Sequence, residues 1–104
     1  MPDSVIAVEI TFLKPEEGGR RVPPLLGYMP HLVVESDGTT GSSYLGVRLV
    51  SAPEKPVLGE RGLYELELMY TNRVDYGALQ QGAEFTVREG PHVVGYGSVL
   101  GTND

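Results

Sequence analysis

The 104-residue chain is long enough for one domain and short for two. Its 14 acidic and 8 basic residues give a formal charge of −6, and it has neither Cys nor Trp. That excludes a disulfide scaffold and a thiolate zinc site, leaves no apolar run of the roughly 18 residues a membrane helix needs, and denies the chain the cationic field that drives freestanding nucleic-acid binding.

Gly 14 and Pro 8 interrupt almost every short window, which weakens helix throughout, while 40% hydrophobic content suffices for one core. The opening MPDSVIAVEITFLK lacks a basic n-region and a cleavage motif, so no secretory leader is expected and the setting is read as cytoplasmic. In SVIAVEITF (4–12), Ile6, Val8, Ile10 and Phe12 share one face and Glu9 and Thr11 the other, the period-two pattern of a half-buried strand. The connector at 14–30, KPEEGGRRVPPLLGYMP, is too long for a plain turn, so it is expected to be ordered and functional, or to pack along the barrel.

HLVVES (31–36) reads as a short β-branched strand, and DGTTGS follows as a turn. SYLGVRLVS (43–51) turns Leu45, Val47 and Leu49 inward and Arg48 outward. After APEKPVLGERG, LYELELMY (63–70) sets Tyr64, Leu66, Leu68 and Tyr70 against Glu65 and Glu67. QQG leads into AEFTVRE (83–89), with Phe85 and Val87 inward, and Gly90-Pro91 forms a tight hairpin into HVVGYGSVL (92–100). In that last strand Gly95 and Gly97 mark a bend or a close backbone approach. The reading is an all-β protein: a small closed antiparallel β-barrel of about six strands, one domain over 1–104, with ends fraying at about 1–3 and 101–104.

Two segments carry a recognisable pattern. In 12–32 it is Glu17-Gly18-Gly19-Arg20, Pro23 and Gly27-Tyr28-Met29-Pro30; in 82–99 it is Phe85, Arg88-Glu89-Gly90, Val94, Gly95 and Gly97. Together they resemble the C-terminal (third) β-barrel domain of bacterial elongation factor Tu, whose segments run acidic-Gly-Gly-Arg, Pro, Gly-Tyr-Arg-Pro, then Arg-Glu-Gly and Val-Gly-Ala-Gly. The likeness covers the whole chain, with residues 44–81 matching only as strands and a turn. It implies a translation-factor-like six-stranded barrel. It does not imply a GTPase, because the phosphate-binding G-x-x-x-x-G-K-[ST] loop of that family lies on another domain and has no counterpart here.

In that family the barrel helps to hold the tRNA T-stem backbone and packs against protein partners. The contact positions carry over to His31, which replaces a Gln, to Thr40 and Gly41, and to Glu89 and Gly90. Glycine N–H groups and a Thr hydroxyl suit phosphate and 2′-OH oxygens. Arg20, Arg21 and Arg88 supply the nearby charge, although Met29 stands where the family has Arg. The structural alternative is that GYMP and REG build turns and a barrel corner, and that Glu16 and Glu17 neutralise Arg20 and Arg21 within one solvated loop.

No catalytic pattern emerges. His31 and His92 have no ligand-spaced partner, so no metal is expected. GYGSVLG misses the dinucleotide spacing, G-x-S-x-G is absent, and no cofactor is implied. The expectation is a stand-alone, non-catalytic interaction module binding a protein partner through an acidic surface or exposed tyrosines. RNA binding through the carried-over positions is the alternative, and an enzyme of unknown type the third choice.

Overall fold

The computed structural model describes residues 4–34, 44–74 and 76–102. Among these residues six strands form: β1 (Val5–Phe12), β2 (His31–Val34), β3 (Leu45–Ser51), β4 (Arg61–Leu68), β5 (Glu84–Glu89) and β6 (His92–Thr102). They close into an antiparallel barrel in the order β1-β4-β3-β2-β5-β6. The expected all-β, six-stranded closed barrel is therefore present. Closure gives every strand a neighbour on both sides, which limits the open edge that could seed mispairing.

Alternation decides what faces inward. Ile6, Val8, Ile10 and Phe12 of β1, Leu45, Val47 and Leu49 of β3, Phe85 and Val87 of β5 and Val99 of β6 fill the interior, and Val94 of β6 joins them out of the alternation. The pattern of β4 holds only in part. Tyr64 and Leu66 are buried, but the strand ends at Leu68 and the chain then turns, so Tyr70 is exposed. The Tyr70 ring instead lies over Gly46, where a Cβ would come within 2.6 Å of it. Tyr76 donates from its hydroxyl to the Gly46 carbonyl at 2.6 Å, anchoring the same turn. Leu79, a lone apolar residue in the connector after that turn, joins the core.

The register shifts by one residue at three places: between Leu49 and Ser51 of β3, at Val94 of β6 opposite Val87/Arg88, and at Leu100 of β6 opposite Ala7/Val8. Such bulges bend a strand and raise its twist, which a small barrel needs to close. Gly95 follows the bulge at Val94. Gly97 marks the closest approach, since a Cβ there would run into the carbonyl oxygen of Glu9. Gly90 and Pro91 form a two-residue hairpin between Glu89 and His92. Gly90 has φ +61°; with the negative φ fixed by the Pro ring, this is the type II′ combination that matches strand twist. Gly101 and Thr102, placed by the sequence reading in a fraying end, pair with Ala7 and Ile6. Among the described residues no helix is long and apolar enough to cross a membrane.

Candidate functional site

The connector between β1 and β2 starts with a 3₁₀ turn (Pro15–Glu17). The Lys14 backbone N–H donates to the Glu17 carboxylate at 2.9 Å, so Glu17 serves the turn rather than an arginine. Further on, the connector runs beside β3. Gly27 N–H donates to Leu49 O at 2.8 Å, Leu49 N–H to Tyr28 O at 2.8 Å, and Val47 N–H to Pro30 O at 3.2 Å. The segment thus takes ladder bonds from the barrel wall, and Pro24 and Pro30 are buried beneath it.

A polar cluster ties this connector to the β5–β6 hairpin. The Arg20 guanidinium pairs with Glu89, and Tyr28 donates its hydroxyl to the same carboxylate oxygen at 2.6 Å. Arg20 also lies over the Tyr28 ring, 4.6 Å from its centroid, and donates to Val22 O at 3.2 Å. His92, across the hairpin, donates from Nε2 to the Gly18 carbonyl. Beneath, Phe12 meets Tyr28 and Tyr64 edge-on at 6.3 and 5.5 Å. The Tyr28 hydroxyl holds Glu89 below the usual carboxylate range, with help from Arg20 and His92 and against partial burial. Burial, then the Glu89 hydrogen bond and charge, push the Tyr28 phenol well above its ordinary value.

The two motif segments therefore meet in space, and of the residues singled out in the sequence Arg20 and Glu89 belong to the cluster, with Gly90 next to Glu89 in the hairpin. His31 pairs in register with Arg88 on the neighbouring strand. Tyr44 sits between their side chains, 5.7 Å edge-on from the His31 ring and 5.8 Å from the Arg88 guanidinium. Arg88 also donates to Thr86 Oγ1 at 3.0 Å. Arg21 is exposed. Thr40 and Gly41 lie outside the described residues. The expected neutralisation of Arg20 by Glu16 and Glu17 is replaced by the long-range pair with Glu89.

Sequence reasoning did not single out the apolar side of the connector. Val22, Leu25, Leu26 and Met29 are 60% to 81% exposed. The signal was present in PPLLGYMP: apolar residues in a segment with neither strand nor helix periodicity have no internal face to turn to. Among the described residues no three His, Asp or Glu side chains gather to hold a metal.

No protein-family model matches the chain.

Proposed function

We propose that the chain is a non-catalytic interaction module that binds a protein partner through the β1–β2 connector. The observation carrying this reading is that four large apolar side chains, Val22, Leu25, Leu26 and Met29, stand exposed on a segment whose backbone is bonded to β3 and whose neighbour Tyr28 is tied to Glu89. Apolar side chains on a pre-ordered loop bind at lower entropic cost than on a mobile one, and exposed apolar clusters mark contact sites. The resemblance to the third domain of elongation factor Tu supports a partner in translation. It also explains the motif residues, since Arg20, Tyr28 and Glu89 hold one another and shape the connector.

Binding of the tRNA T-stem backbone finds less support. Arg20 is engaged by Glu89 and the Tyr28 ring, and the carboxylate beside it would repel phosphate. The deciding experiment is capture from native lysate with and without ribonuclease, comparing wild type with the double variant Leu25→Ser/Leu26→Ser. A defined protein retained through ribonuclease and lost in the variant is the expected result. Recovery of tRNA-sized RNA that moderate salt strips and the variant retains would replace this reading with RNA binding.

A further inference from the structure

The outer wall of the barrel, away from the Arg20–Glu89 cluster, carries a groove. Ladder register aligns Thr11, Tyr96 and Thr86 across β1, β6 and β5, with Arg61 of β4 at the end of the row. A second row, two residues along the strands, aligns Glu9, Ser98 and Glu84 across the same three strands. Side chains opposite each other in a ladder share a face, and the rows lie about 7 Å apart. Together they line a groove of about 490 Å³, within the size range of binding pockets.

Three features of the groove point to one kind of occupant. Glu84 forms no ion pair among the described residues, whereas Glu9 has Arg61 at 3.7 Å. Tyr96 is 52% exposed and sits diagonally across the ladder from Glu84, a separation of about 7–8 Å that an aromatic side chain spans. Thr11 and Ser98 add hydroxyl oxygens able to accept hydrogen bonds, while Thr86 Oγ1 already accepts from Arg88. A guanidinium answers all three: it is always cationic, carries only donors, and stacks flat on an aromatic face. An ammonium satisfies the carboxylate without stacking flat, a neutral polyol leaves Glu84 unanswered, and an anion meets Glu84, which has no ion pair among the described residues, whereas Glu9 is offset by Arg61. The chain's charge of −6 favours a basic approach as well.

We propose that this groove receives an arginine side chain of the protein partner; the source of that arginine rests on the interaction-module reading. The test uses the small probe acetyl-Gly-Arg-Gly-amide, titrated into isotopically labelled protein and followed by backbone amide shifts. Its citrulline and lysine counterparts serve as comparisons. The arginine probe is expected to shift the amides of Glu84, Thr86, Tyr96 and Ser98 saturably. The citrulline probe, equal in shape and uncharged, should bind at least about fivefold more weakly, and Glu84→Gln and Tyr96→Leu should each weaken arginine binding about threefold. Leu25→Ser/Leu26→Ser should leave it unchanged. Absent or scattered shifts, equal binding of citrulline, or equal binding of the lysine probe overturns the assignment. Such a failure is separable from failure of the module reading, which the connector variant decides in the capture experiment without reference to the groove.

Discussion

Tyr28 is the side chain on which the connector and the hairpin depend together. Its ring rests between Arg20 and Phe12 and its hydroxyl ends on Glu89. The two titrating partners stabilise the fold over different pH ranges. Glu89 is held below its unfolded value, so its contribution is complete above about pH 4–5 and is lost as pH falls through the folded value. Tyr28 is held above its unfolded value, so its contribution is complete below about pH 10 and is lost as pH rises toward the folded value. Tyr28→Phe is expected to cost about 1 kcal/mol at neutral pH and to flatten both limbs, losing less stability than wild type toward pH 3 and toward pH 11. Urea unfolding across the pH range checks this, and parallel curves for the two proteins would refute it. The glycines of β6 offer a second contrast. Gly97→Ala drives a Cβ into the Glu9 carbonyl, whereas Gly101→Ala meets nothing within 4 Å. The first should cost about 2 kcal/mol and the second less than about 0.5 in the same assay.

At the scale of elements, the strands were legible in the sequence because their evidence is local. Ile6, Val8, Ile10 and Phe12 announce β1 without reference to any other part of the chain. What sequence could not give was the non-local pairing. Gly27 and Tyr28 bond to Leu49, and Arg20 reaches Glu89, through closure of the barrel rather than through any spacing in the connector. Tyr70 was misassigned because alternation continues past Leu68 after the ladder has stopped, and Leu79 was missed because a single apolar residue has no period. The outer-wall groove is an intermediate case. Glu9 and Thr11 were read as outward-facing, yet their juxtaposition with Tyr96 and Ser98 follows only from register. The connector's dual character predicts that the Gly27 and Leu49 amides exchange with solvent as slowly as those of the barrel strands, despite the loop around them. It also predicts that Leu25→Ser/Leu26→Ser shifts Tm by no more than a few degrees, since neither side chain is buried. Fast exchange at Gly27 would detach the connector from the wall and remove the pre-ordering that the binding proposal uses.

For the whole molecule, charge links stability to association. Fourteen acidic residues against eight basic ones leave −6 on a small barrel. The described ion pairs, Arg20–Glu89, Arg48–Glu67 and Arg61–Glu9, are all at least partly exposed, and each is therefore worth at most about 1 kcal/mol. Unbalanced carboxylates remain, and their mutual repulsion opposes the compact state. Raising NaCl from about 10 to 150 mM shortens the screening length from about 30 to 8 Å, a change that weakens repulsion between distant carboxylates more than it weakens contact pairs. Stability should therefore rise slightly with salt. The same change should weaken capture of an arginine by Glu84, where attraction rather than repulsion is screened. Opposite salt slopes for urea unfolding and for probe titration are thus expected of one molecule. A fall in stability with salt would mean that the ion pairs outweigh the net charge, and the acidic surface would then be an internally balanced coat rather than a field that draws a basic partner.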